Sequence, residues 1–449
     1  MPKDLSQTNP QSDPARPATI IPRPDHNVSR QQISPNALKV LYRLNNAGFQ
    51  AYLVGGGVRD LLLGREPKDF DVATDARPEE IHDLFRNSRL IGRRFRLVHV
   101  RYGREIIEVS TFRALHGEDD AHPERHTDDS GRILRDNVFG SLAEDAFRRD
   151  FTVNALYYNI ADFSVIDHVD GVRDLRDGLL RLIGDPDLRF REDPVRMLRA
   201  VRFAAKLGFR IEPRTAKFIP ELSDLLRDIP PARLFEEVLK LFLGGYAAQT
   251  FEELLRYDLF RQLFPFTEEA LAHEENAFPL TFVARALENT DKRIAEDRPV
   301  TPFFLFAVLL WEPVRRRAEV LESQGMSASD AMRIAADEVC ARQLEFVALP
   351  RRFSTPMREV WQLQPRFENR SGKRALRLLG HPRFRAAYDF LVLRAETGEA
   401  DPDLAAHWTK LQEVDADEQH TMLSQPDGTK AKRRRRGGRR RKPGGDGGE

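Results

Sequence analysis

Cysteine is nearly absent from this sequence, and so is any long apolar run. The 449 residues include one cysteine, Cys340, which excludes an internal disulfide and a metal centre built from several thiolates. The longest apolar run, Phe303 to Trp311, is about half of what a bilayer span needs, so we predict a buried helix there. The first residues lack the apolar stretch of a secretion signal. These absences predict a cytoplasmic protein with no transmembrane segment.

Charge is abundant but unevenly distributed along the chain. The formal net charge is +1 for the whole sequence. From Lys430 onward there are ten lysines and arginines against two acids, so this tail carries +8 and the remainder −7. A basic run of this kind cannot fold alone and is typical of a nucleic-acid-binding arm or a peripheral tether to a membrane surface. The alternative is a solubilising tail, a role that acids serve better than arginine.

The stretch from Tyr52 to Thr74 predicts a strand, a glycine turn, a helix and a second strand. Ala51 to Val54 is a short apolar run before three successive glycines, the first two being Gly55 and Gly56, and the helix follows from Val58. Backbone N–H groups of glycine can approach a phosphate closely, and a helix N-terminus adds a favourable dipole. The turn is therefore a candidate phosphate site.

Two aspartates follow in the predicted second strand. Asp69 and Asp71 alternate with Phe70 and Val72, and side chains two apart on a strand share a face. Two neighbouring like charges repel, so they need a cation. Mg²⁺ fits best, with Mn²⁺ as the alternative, because it is usually held by one or two carboxylates plus substrate phosphates. Arg59 would then pair with triphosphate oxygens.

Each part of this pattern also has an ordinary interpretation. A D-x-D pair alone is a common surface feature. The glycines do not form a dinucleotide fingerprint, because the third glycine position of G-x-G-x-x-G is Asp60, and no G-K-[ST] follows. We interpret Asp60 as a structural partner of Arg59 or of a backbone amide. The glycine turn, the arginine and the two aspartates in one unit are far more specific together.

A third carboxylate, Glu108, lies in a predicted strand from Arg104 to Phe112. It is flanked by Ile107 and Val109, as the aspartates are by their own apolar neighbours. On a neighbouring strand of the same sheet, Glu108 would help hold the metal or activate a hydroxyl. The alternative is a surface glutamate on an edge strand.

Two further segments concentrate arginine. The first is Arg148-Arg149-Asp150, in which Asp150 is either an active-site acid or a buried partner of Arg149. The second is a predicted helix from Phe190 to Phe209. Its polar stripe repeats every three residues: Asp193, Arg196, Arg199 and Arg202. Three arginines after one acid favour an anionic ligand over a solvated face.

The remaining pattern predicts a helix-rich protein around this site. Ser34-Pro35 begins a predicted helix up to Gly48 that packs on the sheet. His116 to Arg132 is polar and predicts a flexible loop over the site. Phe163 to Val169 and Leu180 to Ile183 predict a hairpin-like pair of strands. After Phe209 the pattern is helical.

The G-G-x-x-R-D turn with its following D-x-D, the R-R-D-F-T-x-N-A segment and the E-D-x-x-R segment resemble one family. It is that of the class II template-independent RNA nucleotidyltransferases, which includes bacterial poly(A) polymerases and tRNA CCA-adding enzymes. The resemblance implies an α+β fold with a polymerase β-like nucleotidyltransferase head and all-α neck, body and tail domains. The implied segments are a head at 33–184, a neck at 185–270, a body and tail at 271–415, and disordered termini at 1–32 and 416–449.

The resemblance also implies roles for the residues named above. Asp69, Asp71 and Asp150 would be catalytic, and Asp69, Asp71 and Glu108 would hold the metal. Asp193 and Arg196 would read the edge of the incoming base in place of a template. The residues implied to bind the nucleotide are Gly55, Gly56, Arg59, Arg149, Asp193, Arg196, Arg199 and Arg202.

The implied activity is metal-dependent transfer of AMP from ATP to RNA 3′ ends, with release of pyrophosphate. Single-stranded RNA ends and RNA-decay proteins are the implied partners. Leu90 to Gly103 looks like the pattern of bacterial poly(A) polymerases, which makes CCA addition to tRNA the alternative. A further alternative is a non-enzymatic RNA-binding protein. The intact D-x-D disfavours it, because two unpaired acids near bound RNA would only repel phosphate.

The charge separation predicts that the tail serves RNA affinity rather than catalysis. All of the candidate site residues precede Phe209. A chain ending at Gly428 should keep near-normal turnover with saturating RNA at low salt. It should bind RNA more weakly, with a shallower salt dependence, since each phosphate contact contributes about −0.7 to the slope of log affinity against log salt. Measuring affinity at several salt concentrations for both lengths tests this. An unchanged slope would instead assign the arginines to a membrane surface or a protein partner.

Overall fold

The computed structural model describes residues 16–92, 96–115, 125–127, 133–136, 138–272 and 278–424. These residues form two compact units. The first contains the described residues up to Glu268 together with Leu287–Val300 and Leu344–Ala348. The second contains the described residues of Glu269–Ala286, Thr301–Gln343 and 349–424. Across the described ranges, no helix combines the length and the apolar character needed to cross a membrane.

The first unit is built on an eight-stranded mixed sheet. Its strand order is β1-β10-β9-β2-β3-β6-β5-β4, in which β3 and β6 are parallel and the other neighbours antiparallel. Two smaller pairs accompany it, β7 with β8 and β11 with β12. The strands are β1 Thr19–Ile21, β2 Ala51–Val54, β3 Asp71–Thr74, β4 Ser88–Ile91, β5 Leu97–Tyr102, β6 Glu105–Thr111, β7 Arg125–Thr127, β8 Ile133–Asp136, β9 Leu156–Asn159, β10 Val165–Asp167, β11 Leu179–Leu180 and β12 Arg210–Ile211.

Helices dominate the rest of the described chain. The helices up to residue 272 are α1 Pro35–Asn46, α2 Gly56–Leu62, α3 Pro78–Leu84, α4 Leu142–Phe147, α5 Gly171–Asp177, α6 Pro186–Glu192, α7 Val195–Leu207, α8 Pro213–Glu221, α9 Pro231–Phe242, α10 Ala247–Arg256, α11 Phe260–Leu263 and α12 Pro265–Ala272. The later ones are α13 Phe278–Ala295, α14 Pro302–Leu309, α15 Trp311–Ser323, α16 Ala328–Gln343, α17 Arg351–Leu363, α18 Gly372–Leu379, α19 Phe384–Glu396, α20 Pro402–Glu413 and α21 Ala416–Ser424.

Buried apolar side chains form the cores of both units. Helix α1 buries Ala37, Val40, Leu41 and Leu44 on one face, as its i, i+3, i+4, i+7 spacing predicts. In the second unit, Trp361 and Trp408 are fully buried, and each indole N–H donates to a backbone carbonyl, of Ala307 and Phe367 respectively. The predicted buried helix in the 303–311 run is confirmed: α14 covers most of it, and Leu305 to Trp311 are buried.

Disorder is predicted for residues 1–32 and 416–449. This prediction is wrong for the later part of the first segment and for the beginning of the second. Residues 19–21 form β1 at one edge of the large sheet, where Thr19 pairs with Asp167, and short 3₁₀ turns follow at Arg23–Asp25 and Arg30–Gln32. At the other end, Ala416–Ser424 is helical. The polar, proline-rich composition hid β1 because its stability comes from pairing with a distant strand. The basic run from Lys430 lies outside the described residues.

Two local predictions also need correction. Within the predicted loop 116–132, residues 125–127 form β7, which pairs with β8 just after the loop; the rest of that loop lies outside the described residues. The predicted pairing of Phe163–Val169 with Leu180–Ile183 is wrong, because β10 pairs with β1 and β9, and β11 pairs with β12. Helix α5 intervenes, and the Asp167 carboxylate accepts the N–H groups of Gly171 and Val172 at its start.

The long helix predicted from Phe190 to Phe209 is two helices. Helix α6 ends at Glu192 and α7 begins at Val195. Asp193 between them is extended, with φ −151° and ψ 91°. The reason is Pro194, whose ring disfavours the helical conformation of the residue before it. Asp193 is therefore not on the same helix as Arg199 and Arg202.

Gly171 allows the close approach of α5 to the 152–154 turn. A Cβ atom added at Gly171 would lie 2.2 Å from the carbonyl oxygen of Thr152. We expect Gly171→Ala to lower the free energy of unfolding by about 3 kcal/mol, because the atoms that clash are backbone atoms. The control is Gly380→Ala, whose Cβ would meet nothing closer than 3.7 Å and should change stability by less than about 0.5 kcal/mol. Urea unfolding curves of both variants decide this, and equal curves would contradict it.

Candidate active site

A cleft of about 530 Å³ in the first unit collects most of the predicted site residues. One wall comes from the turn after β2, the segment before β3 and the residues that follow α4. The other wall comes from α7, α9 and the start of α10. The lining residues are Gly55, Gly56, Gly57, Arg59, Asp60, Lys68, Asp69, Asp71, Arg149, Asp150, Asn154, Arg199, Arg202, Phe203, Lys206, Lys240, Leu241, Leu243, Gly244, Tyr246 and Thr250. Three predicted site residues are not among them: Glu108, Asp193 and Arg196.

Asp69 and Asp71 both line the cleft, but only Asp71 belongs to a strand. The predicted strand position of Asp69 is wrong: β3 begins at Asp71, which pairs with Val54, the last residue of β2. Beyond Val54 the chain turns away at the glycines, so β2 offers Asp69 no partner, and Asp69 is exposed. The two carboxylates therefore reach the cleft from a strand end and the loop before it.

The Asp71 carboxylate lies among like charges. Burial and the charge of Glu108, with a smaller effect of Asp69, raise the pKa of Asp71 to about 6, while Arg149 opposes the shift. The register places Asp71 beside Glu108 of the parallel strand β6. Ionised Asp71 therefore carries an unfavourable energy that a bound cation would remove.

Glu108 lies beside Asp71 on the neighbouring strand β6 and is not among the residues that line the cleft. Strand β6 lies between β3 and β5, so the alternative of an edge-strand position is wrong. The Glu108 Oε2 atom is 3.5 Å from His99 Nε2, and 45% of the glutamate side chain is exposed. Its charge acts on Asp71, but its side chain does not line the cleft.

The two cleft aspartates fit a divalent cation. Neither carboxylate has a hydrogen-bond or ion-pair partner among the described residues. In the same part of the chain, no three histidine, cysteine, aspartate or glutamate side chains converge as a metal site. Magnesium is usually held by only one or two carboxylates, with waters and substrate phosphates completing its shell. The pair therefore fits an ion that arrives with a phosphate-bearing substrate.

The glycine turn places backbone and guanidinium groups in the cleft. Gly55 has φ +71°, a conformation that favours glycine, and α2 begins one residue later. The predicted partnership of Arg59 with Asp60 is confirmed, since Arg59 Nε donates to Asp60 Oδ1 at 2.8 Å. Arg59 Nη1 also donates to Asn154 Oδ1 at 2.6 Å, and Lys206 Nζ lies 3.5 Å from Asp60 Oδ2. Arg59 is therefore buried and fixed in direction.

Arg149 is held by Asp145, a residue that sequence reasoning missed. Arg149 Nε and Nη2 donate to Asp145 Oδ2 at 3.2 and 2.9 Å, and Nε also donates to the Tyr157 hydroxyl at 2.8 Å. Arg148 Nε donates to the other carboxylate oxygen. Burial opposes ionisation, but these two arginines and the Tyr157 hydroxyl hold the pKa of Asp145 far below its usual range. The signal in the sequence was the i, i+3 and i, i+4 spacing within LAEDAFRR.

Asp150 has a different partner from the one considered in the sequence. The alternative that it orients Arg149 is wrong, because it pairs with Arg199, whose Nε donates to Asp150 Oδ2 at 2.8 Å. The Asp150 Oδ1 atom accepts the N–H of Phe151 and the side-chain amide of Asn154. Burial alone would raise the pKa of Asp150, but Arg199 and these donors lower it to about 2. Both carboxylate oxygens are thus already engaged.

Arg199 and Arg202 reach the cleft from α7, one turn apart. Arg202 Nε is buried with no hydrogen-bond partner among the described residues, and the guanidinium carbon lies 4.7 Å from the centre of the Phe203 ring. Burial and the charge of Arg199 lower the pKa of Arg202 from its ordinary value, but a guanidinium remains protonated at neutral pH. Arg202 is therefore a cleft cation available to an anionic ligand.

Asp193 and Arg196 point to protein partners instead of the cleft. Arg233 Nη2 donates to both carboxylate oxygens of Asp193 at 2.8 Å. Arg196 Nη1 donates to Glu192 Oε2 at 2.8 Å and to the carbonyl oxygen of Arg189 at 2.6 Å. The structure does not bring this pair together with the other candidate residues.

Several lining residues carried no recognisable signal in the sequence. Lys240 and Tyr246 come from α9 and from the N-cap of α10, more than thirty residues after the last predicted site residue, Arg202. Lys240 pairs with Glu237. Nothing in their local pattern distinguishes them from surface residues, because only the packing of α9 and α10 on α7 brings them to the cleft.

Three family models match the chain. Residues 51–181 match the poly A polymerase head domain, and 208–271 match the probable RNA- and SrmB-binding site of polymerase A. Residues 324–442 match the polymerase A arginine-rich C-terminus. The cleft draws its lining from the first of these stretches, from α7 and from the second.

Individual proteins are also similar to this chain over most of its length. Poly(A) polymerase I of Escherichia coli O6:H1 is 52% identical over 419 residues, which cover 92% of this chain and 90% of the relative. Poly(A) polymerase I of Salmonella typhimurium is 51% identical over 424 residues, covering 93% and 91%. Among solved structures, the CCA-adding enzyme of Bacillus stearothermophilus in complex with CTP matches with a TM-score of 0.53 at 26% identity, covering 84% of each chain.

The Asp145 cluster predicts a pH-dependent contribution to stability. Asp145→Asn should lower the free energy of unfolding by about 3 kcal/mol at neutral pH, because it leaves Arg149 without its buried counter-charge. Because the folded-state pKa is depressed, the wild-type advantage is complete above the ordinary value of 3.8 and shrinks as the pH falls below it. Chemical unfolding at several pH values measures this. The control is Asp187→Asn, which removes an exposed pair with Arg191 and should cost under about 0.5 kcal/mol.

Proposed function

This chain belongs to the poly(A) polymerase family. We propose that its cleft adds AMP from ATP to RNA 3′ ends without a template. The observation that carries the proposal is a contrast of charges. Asp69 and Asp71 have no partner among the described residues, and they share one cleft with Arg59, Arg149 and other cations. Such a site suits a magnesium-bound triphosphate, whose metal meets the acids and whose phosphates meet the arginines.

Asp69 and Asp71 would hold the metal, with Mg²⁺ favoured over Mn²⁺ and Glu108 adding negative charge beside Asp71. When bound there, the metal would favour ionisation of the RNA 3′-hydroxyl and stabilise the charge on the leaving pyrophosphate. The hydroxyl would lose its proton to solvent as its oxygen attacks the α-phosphorus of ATP, a new phosphodiester would form, and the bond to pyrophosphate would break. The carboxylates orient these groups rather than forming a covalent intermediate.

The basic residues of the cleft would bind the triphosphate. The backbone N–H group of Gly56, with Arg149 and Arg202, would meet phosphate oxygens, whereas the N–H of Gly55 donates to the carbonyl oxygen of Leu156 at 3.3 Å. Arg59 and Arg199 also contribute charge, and each of them, like Arg149, already has an acidic partner. Asp150 accordingly serves by fixing Arg199 in direction rather than by binding metal.

The second unit and the basic tail would bind RNA. On α18, Lys373 and Arg374 are exposed, and among the described residues neither forms an ion pair. In contrast, Arg383 and Arg385 are paired with Glu359 and Asp389. We further propose that the protein acts in the cytoplasm in mRNA processing and decay, alongside RNA-decay proteins, with peripheral membrane contact through the tail as a testable alternative.

The nucleotide that is added distinguishes this function from its alternatives. Purified protein should extend an unstructured RNA with ATP, and extend it poorly with CTP, GTP or UTP. Products that require CTP on a tRNA lacking its CCA end would favour CCA addition instead. RNA binding without extension by any of the four nucleotides would favour a non-enzymatic RNA-binding protein.

Asp71→Asn should separate activity from stability. We expect it to abolish ATP-dependent extension while raising the free energy of unfolding of the metal-free protein by about 1–3 kcal/mol, because a partly buried charge among like charges is removed. Mg²⁺ should narrow this difference by stabilising only the wild type. The matched control is Asp69→Asn, which should also abolish extension but leave stability within about 0.5 kcal/mol, since Asp69 is exposed. Retained extension in Asp71→Asn would exclude the two-aspartate mechanism.

A further inference from the structure

Arg189, on α6, makes an unusual set of contacts for a residue outside the cleft. Its Nη2 atom donates to the carbonyl oxygens of both Arg148 and Arg149, each at 2.6 Å. Its Nη1 atom donates to Glu192 Oε2 at 2.6 Å. The side chain is 9% exposed, so its charge is almost fully removed from water. A buried guanidinium is costly unless such partners hold it, so these contacts fix its position.

The two carbonyls lie where a helix leaves acceptors unsatisfied. Helix α4 ends at Phe147, and the carbonyls of the next two residues have no place in its hydrogen-bond ladder. A cation beside the C-terminal end of a helix is also favoured by the helix dipole. Arg189 therefore acts as a C-terminal cap supplied by another helix, more than forty residues further along the chain from α4.

Glu192 fixes the direction of Arg189 and is itself fixed by Arg196. Arg196 Nη1 donates to Glu192 Oε2 and to the carbonyl oxygen of Arg189, which closes a ring of contacts among the three residues. The shared carboxylate keeps two buried guanidinium groups close together despite their like charges. Arg196 thus braces Arg189 in this structure instead of facing the cleft.

The capped segment is the one that carries the phosphate-binding side chain. The Arg149 guanidinium lines the cleft, and its direction depends on the backbone that Arg189 holds. The next residue, Asp150, orients Arg199 across the cleft. The amide of Ile183 holds the Asp150 carbonyl from another direction at 2.9 Å. Arg189 and Ile183 therefore both anchor the backbone of a segment that supplies two cleft residues.

We propose that Arg189, oriented by Glu192 and Arg196, is a positioning residue for ATP binding that acts through Arg149. The inference rests on the proposed function, because it takes Arg149 as a ligand of the ATP phosphates. It gives Arg196 a role in this chain other than contact with the base. It also predicts that loss of the cap weakens ATP binding while leaving RNA binding unchanged.

The test is steady-state kinetics of the full chain with Arg189→Met. The KM for ATP should rise about tenfold, because a small displacement of a substrate-binding group has effects of this size or larger. The kcat should stay within about threefold and the KM for RNA within about twofold, since the lost contacts serve ground-state binding of ATP. The control on the same helix is Arg191→Met, which removes an exposed pair with Asp187 and should match the wild type in all three parameters.

A double variant separates action through Arg149 from general loosening of the fold. In Arg149→Lys, the cation beside Asp145 is kept but the forked guanidinium is lost. If Arg189 acts through Arg149, adding Arg189→Met to Arg149→Lys should raise the KM for ATP by less than about threefold further. Multiplying effects would overturn the proposal, as would an Arg189→Met variant whose KM for ATP stays within twofold of the wild type.

Two milder variants test the positioning role of Arg189 if Arg189→Met does not fold. Arg189→Lys keeps the charge but cannot donate to both carbonyls and to Glu192 with a planar fork. Glu192→Gln keeps the shape of the acid but not its charge. Each should raise the KM for ATP at least threefold, and failure of both to do so overturns the proposal. If Arg149→Lys itself leaves the KM for ATP unchanged, the role given to Arg149 fails instead, and a wild type that does not extend RNA contradicts the function.

Discussion

The cleft depends on an uneven pairing of its charges. Acids pair with several of the basic residues and fix their direction: Asp145 contacts Arg149, and Asp60 lies between Arg59 and Lys206. The acids at the other side, Asp69 and Asp71, have no such partners among the described residues. A polyanion alone would be repelled by the aspartates, and a metal ion alone by the arginines. The two sides of the cleft are therefore satisfied together only by a metal and a polyphosphate arriving as one complex.

Sequence reasoning located the acidic side of the cleft more fully than the basic side. The glycine turn and the two aspartates lie within about twenty residues of each other, so short-range patterns contain them. Lys240 and Tyr246 reach the cleft only because α9 and α10 pack on α7, and no local pattern encodes that packing. Asp145 lay within reach, since its spacing to Arg148 and Arg149 is a regular helical one, but its neighbours Asp150 and Arg149 form the more conspicuous motif.

The E-D-x-x-R segment shows how a motif fixes residue types without fixing directions. Pro194 breaks the helix, so Asp193 leaves the stripe that its three-residue spacing suggested and meets Arg233. Arg196 stays on α7 but turns toward Glu192. Only Arg199 and Arg202 of the predicted stripe reach the cleft. Side-chain direction follows from the local backbone and from the nearest opposite charge, and neither is visible in a spacing rule.

The position of β1 constrains how the protein is made. Among the described residues this strand pairs only with β10, and Arg16 near it forms an ion pair with Asp170, so both contact a segment that is synthesised much later. At about 5–20 residues per second, a ribosome adds the intervening ~150 residues in roughly 7–30 s. During that time the nascent strand has no partner within its own chain. This edge of the sheet therefore closes last, and until then the unpaired backbone groups of β1 are open to chaperones and to mispairing.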